Sequence, residues 1–154
     1  MRFLRLIRHF IAGLQPVGWV FPPRIRAAIE SEIALTESRH QGEICFAIET
    51  ALPAALIWRY TTPRERAVGL FASLGVWDTA ANNGVLIYVL LADHSVELVA
   101  DRGIAARIPE AEWQVLCGEV EALFRSDEFE AGGLAAIRGV AAQLARYFPG
   151  SGAG

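Results

Sequence analysis

Three short stretches of the chain hold nearly all of its candidate chemistry. ESRHQGE carries Glu37, His40 and Glu43; WDTAANNG carries Asp78, Asn82 and Asn83; ADRG carries Asp101 and Arg102. Carboxylates and a carboxamide from separate loops are the donor set of a hard cation such as Ca2+ or Mg2+. On that reading Asp78, Asn83 and Asp101 are ligands and Glu43 is a fourth, with Glu37, His40 and Asn82 as secondary candidates. Arg102 is the group that would hold a phosphate, with metal-activated water as the attacking species. His40 titrates near neutrality and suits a ligand or general base. Glu37 and Glu43 would make an acid/base pair if brought close.

Each residue also has a plain structural reading. Asp78 caps a turn, and Asn82-Asn83-Gly84 supplies left-handed turn conformations. Asp101 pairs with Arg102 or Arg66, Glu43 pairs with Arg39 or caps backbone donors, and His40 is a hydrogen-bonded linker. His94, in a hairpin turn, is exposed. At this level both readings stay open.

Absent motifs narrow the chemistry. The 14 basic residues are all Arg, so no P-loop lysine exists. The spacing from Cys117 to Arg125 is too long for a cysteine-phosphatase loop, and Cys45 has no arginine within reach. No Asp-x-Asp pair, Gly-x-Ser-x-Gly elbow or His-Glu-x-x-His occurs. Cys45 and Cys117 sit in apolar patterns and read as buried free thiols of a reducing compartment.

The elements that must position these groups follow from periodicity and turn chemistry. Pro22-Pro23 opens a helix reaching about Arg39, with Ile25, Ile29, Ile33 and Leu35 inward. Residues 43–49 alternate with apolar residues on both faces, as in a strand covered on two sides. Residues 50–62 read as irregular. Thr62 caps a helix whose inward face is Val68, Phe71 and Leu74.

Strands at 85–92 and 96–100 are joined by Asp93-His94-Ser95 as an antiparallel hairpin, and strands 43–49 and 85–92 are parallel across a right-handed crossover. Two helices close the unit. One carries Trp113, Leu116, Val120 and Leu123 at helical spacing, and the other, roughly 129–148, carries Leu134, Ile137, Val140, Leu144 and Phe148. The order α-β-α-β-β-α-α predicts an α/β fold, a three-layer α/β/α sandwich around a small mixed β-sheet. That topology gathers the candidate residues at one pole and leaves Glu49, Asp93 and His94 at the other. Trp77 and Trp113 read as core, and at least one of Trp19 and Trp58 as buried under a loop.

The chain of 154 residues is one domain's worth, 53% hydrophobic and 20% charged. Its net charge of −3 hides an asymmetry, because residues 1–29 carry five Arg and no acid. The acidic remainder argues against nucleic acid, whose interface needs a basic stripe. Three segments result: an amphipathic basic leader 1–21, a domain 22–149 and a disordered tail 150–154. In the leader Phe3, Ile7, Phe10, Ile11 and Leu14 share one helical face opposite Arg2, Arg5 and His9. Residues 1–14 therefore read as a helix that lies on a membrane surface, or as a segment that docks on the protein's own core or frays. Arg8 and His9 split the apolar run, so neither a cleavable signal peptide nor a transmembrane helix is recognised. The expected place is cytoplasmic, peripheral to the inner membrane.

The stretches ESRHQGEICFAIE, RERAVGLFASLGVWDTAANNGVLIYVLLADHSVELVADRGIAARI and FRSDEFEAGGLAAI resemble the TPM domain family over roughly residues 30–148. The NNGVLI step, the strand-end Asp-Arg-Gly and the Phe124, Phe129, Gly132 pattern carry the likeness together. The resemblance implies an α/β/α sandwich, a divalent-ion site in some members and a debated acid phosphatase activity in the plant thylakoid-lumen branch linked to photosystem II repair. Many relatives also carry a signal peptide and a carboxy-terminal membrane span, neither of which is recognised here. Asp101-Arg102-Gly103 stands where the family more usually has Gly-x-Gly, so a backbone anion cradle there loses a glycine and gains a carboxylate. The expected function is an ion-binding interaction or chaperone-like module in membrane or envelope protein maintenance, with an unknown protein partner. The alternative is a metal-assisted phosphomonoesterase of low activity.

Overall fold

The computed structural model describes residues 17–59 and 61–151. The leader face at residues 3–14 and tail residues 152–154 lie outside the described residues. In chain order the helices are α1 (Val17–Val20), α2 (Pro23–Thr36), α3 (Ala54–Trp58), α4 (Pro63–Ser73), α5 (Arg102–Ala105), α6 (Glu110–Arg125) and α7 (Phe129–Tyr147). The strands are β1 (Glu43–Glu49), β2 (Gly84–Leu90) and β3 (Ser95–Ala100). They form one sheet in the order β1-β2-β3, with β1 parallel and β3 antiparallel to β2.

Strand alternation divides the core into two layers. Val85, Ile87 and Val89 of β2 face α2, α6 and α7 together with Ile44, Phe46 and Ile48 of β1. Leu86, Tyr88 and Leu90 face the opposite way, onto Ile57 of α3 and Ala67 of α4, with Cys45 and Ala47 beside them. Every residue of β2 is buried, as a central strand covered on both faces requires. The three-layer expectation is met.

Local chemistry explains the boundaries. Thr62 accepts from the Glu65 N–H and Glu65 returns a bond to the Thr62 N–H, a capping box that starts α4 with Pro63 in its first turn. Gly75 ends the helical segment at φ 70°, a conformation that costs glycine nothing. The outer edge of β3 is covered by side chains. The Val96 N–H donates to Glu121 at 3.0 Å, and the Arg64 guanidinium donates to the Leu98 carbonyl. That cover blocks pairing with another strand.

Several expected faces are corrected. Helix α4 turns Ala67 to the sheet, with Leu70 and Phe71 partly buried, and leaves Val68 and Leu74 exposed. An alanine contact lets the short helix sit close to the sheet, which rotates the larger side chains to the flank. In α2, Ile25 and Ile29 are buried, but Leu35 near its end points to solvent. Residues 50–62 include the short helix α3. Trp113 is core, whereas Trp77 is 54% exposed and its indole N–H donates to the Ala72 carbonyl at 2.9 Å. Trp19 and Trp58 are both exposed.

The segment boundaries also move. Phe21, grouped with the leader on sequence grounds, is wholly buried against Phe46, Phe124 and Phe129. At the other end Gly150 is fixed, its N–H donating to the Arg39 carbonyl at 3.0 Å. A Cβ at Gly150 would sit 2.4 Å from the Ser38 carbonyl, so the packed unit extends through this residue.

Candidate functional site

The strand register assembles the polar pole at the amino ends of β1 and β2. Glu43 is opposite Gly84, and Val85 is opposite Ala100, which returns Asp101 to the same end. The Asn82-Asn83-Gly84 step is stitched to both neighbours. Its Asn83 carbonyl accepts from the Glu43 N–H at 3.0 Å, and the Gly84 carbonyl accepts from the Asp101 N–H at 2.9 Å. The Asn82 carbonyl accepts from the Gly103 N–H at 3.1 Å. Asn82 adopts φ 50°, the left-handed conformation that asparagine tolerates. Turn chemistry and site placement are thus one feature.

Asn83 and Asp101 are the residues brought inward. The Asn83 N–H donates to the Thr79 hydroxyl at 3.1 Å, and its side-chain amide donates to the Gln41 carbonyl. Those bonds orient the amide and leave Asn83 Oδ1 buried without a partner. Asp101, 7% exposed, uses Oδ1 to accept the Arg102 N–H at 2.7 Å and so caps α5, while Oδ2 is buried without a partner. Asp101 therefore pairs with the backbone of Arg102 rather than with the guanidinium of Arg66. Two orphaned acceptors in neighbouring segments are a costly arrangement, because each has given up water without compensation.

The remaining candidates are more peripheral. Glu37, Glu43, Asp78, Asn82 and Arg102 are exposed. Among the described residues no three His, Cys, Asp or Glu side chains group as a metal ion would need, so Glu43, Asp78 and Asp101 do not converge as a carboxylate cage. Glu43 makes no ion pair with Arg39 or any other described residue. Nor is the Asp-Arg-Gly turn an open anion cradle. The Gly103 N–H is already spent on Asn82, and a Cβ there would lie 2.6 Å from the Asn82 carbonyl. Sequence reasoning missed Gln41 and Thr79, which hold Asn83 in place. Thr79 falls in the same polar stretch, but Gln41 acts through its carbonyl and leaves no side-chain signal.

His40 is a buried linker. Its Nδ1 accepts from the Gly42 N–H at 3.1 Å, which puts the proton on Nε2, 3.4 Å from the Thr36 hydroxyl. Around it the chain clasps the end of the domain. His40 bridges Pro149, and the Gln41 N–H donates to the Phe148 carbonyl at 3.0 Å. Burial lowers the His40 pKa, with the Glu37 charge pulling the other way. The neutral form belongs to the fold, so this contribution is complete above the ordinary histidine value of 6.5 and is lost as pH falls below it. Melting temperature should therefore drop between roughly pH 7 and pH 5. The drop should shrink in His40→Gln; an equal pH slope in both proteins would remove His40 from the account.

The opposite pole holds a network that sequence patterns did not foretell. Arg66 donates to both oxygens of Glu49 at 2.8 and 3.0 Å, and the Tyr88 hydroxyl donates to Glu49 at 2.8 Å. Burial pushes the Cys45 thiol up. It also pushes Cys117, helped by Glu97, Glu121 and Glu110, up to about 12. Neither sulfur is poised as a nucleophile.

The sandwich and its pole, with the Asn-Asn-Gly step at the head of a central buried strand, define a small α/β/α domain of one recognisable class. The family model described as TPM domain matches residues 19–143, and the chain belongs to that family. Among solved structures it is similar to the BA42 protein from the psychrophilic bacterium Bizionia argentinensis, determined by NMR. The two are 27% identical, with 82% of each chain covered and a TM-score of 0.69. No curated protein matches the chain.

Proposed function

We propose that this domain binds a divalent cation, Ca2+ or Mg2+, at the polar pole and acts as an ion-ordered interaction module in the upkeep of membrane or envelope proteins. The observation that carries the ion reading is the pair of orphaned oxygens, Asp101 Oδ2 and Asn83 Oδ1. A hard cation satisfies such acceptors, with water completing its coordination shell. The module reading rests on what adjoins the pole. Trp77 immediately precedes Asp78, and with Trp58, Val68 and Leu74 it leaves large apolar side chains exposed on the α3–α4 side. Exposed apolar groups of this kind mark partner surfaces. An ion that steadies residues 78–83 would steady Trp77 with them.

The phosphomonoesterase alternative has less support. Arg102 is exposed and beside Asp101, as it requires, but the Gly103 N–H of the same turn is spent on the Asn82 carbonyl and is not open to a phosphate.

Titrating chelator-treated protein with Ca2+ and with Mg2+ tests the ion. Amides of Asp78, Asn83 and Asp101 should shift saturably, and Asp101→Asn, which keeps an acceptor for the Arg102 N–H, should weaken binding by at least about tenfold. A flat titration, or equal affinity in the variant, ends the ion reading. A generic aryl phosphate included with the metal, and turned over by wild type but not by Asp101→Asn, would instead favour the esterase.

A further inference from the structure

A cavity of about 480 Å³ lies along the outer edge of β3, between one face of α6 and Arg64 of α4. Its size suits a small organic molecule. Helical spacing puts Glu110, Trp113, Cys117 and Glu121 on the face of α6 that lines it, and β3 adds Glu97. Three carboxylates thus share the cavity with one guanidinium. Bonds to the strand hold two of these groups in place. Glu121 accepts the Val96 N–H at 3.0 Å, and Arg64, which donates to the Leu98 carbonyl, lies 3.7 Å from Glu97.

Two further observations point to a ligand. Trp113 is only 2% exposed, and its indole N–H is buried without a partner among the described residues. A buried donor of this kind has lost water for nothing in return, and an acceptor on a ligand would restore the bond. The carboxylates also act on one another across the cavity. Burial raises the Glu97 carboxyl, Arg64 opposes the rise, and the Glu121 and Glu110 charges add to it. A cation seated among them would relieve that repulsion. Among the described residues no three acids, histidines or thiols gather closely enough to hold a metal ion, so the spread of these acids fits a larger head group. We propose that the cavity binds an organic ammonium group that carries an oxygen acceptor nearby, on a free amino alcohol or on a lysine of a partner chain. The ammonium is met by Glu97, Glu110 and Glu121, and the oxygen accepts from the Trp113 indole. The Cys117 thiol, held protonated by burial and by the same acids, adds no charge of its own. The inference does not depend on the ion at the pole.

Titration of the full chain with Nα-acetyl-lysine methylamide and with ethanolamine, followed by amide and indole N–H resonances, tests it. Resonances of residues 96–98 and 110–121 and of the Trp113 indole should shift saturably. The Nε-acetylated form of the lysine probe, which has no charge, should not bind. Glu97→Gln should weaken binding at least about tenfold, the worth of one charge-assisted hydrogen bond. Glu110→Gln, at an exposed position of α6, should weaken it as well, whereas Glu119→Gln, exposed on α6 but outside the cavity lining, should not. Should Glu97→Gln lose its fold, Glu110→Gln carries the test. Tighter binding of the lysine probe assigns a partner's lysine as the source, and tighter binding of ethanolamine assigns a free amine. The absence of a saturable shift, a stationary Trp113 indole, equal binding of the uncharged probe, or equal affinity in Glu110→Gln overturns the proposal.

Discussion

Replacing Gly84 by alanine should cost about 3 kcal/mol of stability, a large share of what a domain of this size has. A Cβ at Gly84 would lie 2.2 Å from the Val76 carbonyl oxygen and 3.1 Å from a Val76 methyl. The obstructing atom is backbone, so no rotamer change relieves it. Residue 84 begins the central strand, pairs with Glu43 and accepts from the Asp101 N–H, so the displacement reaches all three segments of the polar pole. Gly69 is the control. It lies within α4 with nothing inside 4 Å of an added Cβ, and Gly69→Ala should stabilise by about 0.5–1 kcal/mol through helix propensity. Urea unfolding of both variants measures the contrast. A Gly84→Ala protein as stable as wild type would mean that the Val76 segment moves aside freely.

The second large effect is expected at the opposite pole. Glu49→Ala should destabilise by about 3 kcal/mol, because it strands the Arg66 guanidinium and the Tyr88 hydroxyl, both partly or wholly buried, at once. Tyr88→Phe removes one neutral donor to a carboxylate and should cost about 1.5 kcal/mol. In the double variant the losses should be less than additive, since both act on one carboxylate. Burial raises the Glu49 carboxyl, but the bonds from Arg66 and Tyr88 outweigh it and hold the pKa below the ordinary 4.5. A lowered folded value means that this stability is complete above pH 4.5 and is lost as pH falls through the folded value. The acid limb of an unfolding curve should therefore flatten in Glu49→Ala. An unchanged acid limb would show that the carboxylate is not the group being titrated.

How much of this is legible from sequence depends on the range of the signal. Strand β1 is readable to the residue because alternation at 43–49 is a local code, and α4 because Thr62 and Pro63 announce its start. The pole is legible once two strands are taken as parallel and the third as a hairpin return, since topology alone then places Glu43, Asn83 and Asp101 at one end. What periodicity misses is orientation about an axis. Val68 and Leu74 look inward on a helical wheel, yet Ala67 makes the contact. Trp77 looks like core, yet its indole is satisfied by the Ala72 carbonyl of the preceding helix and stays exposed. Periodicity reports that a helix has an apolar side; which residue touches the sheet depends on how closely the two can approach.

The amino acids alone determine the order of the long helices and the strands, the family and the polar pole, because hydrophobic period, caps and glycine turns act over a few residues. Only tertiary packing decides which polar atoms lose their water. It turns Asn83 Oδ1 and Asp101 Oδ2 into unpartnered acceptors while leaving Asp78 and Glu43 at the surface. It also brings Arg66 to Glu49 and Tyr88 from three separate elements. Burial and pairing of polar groups are set by neighbours distant in the chain, and no local pattern encodes them.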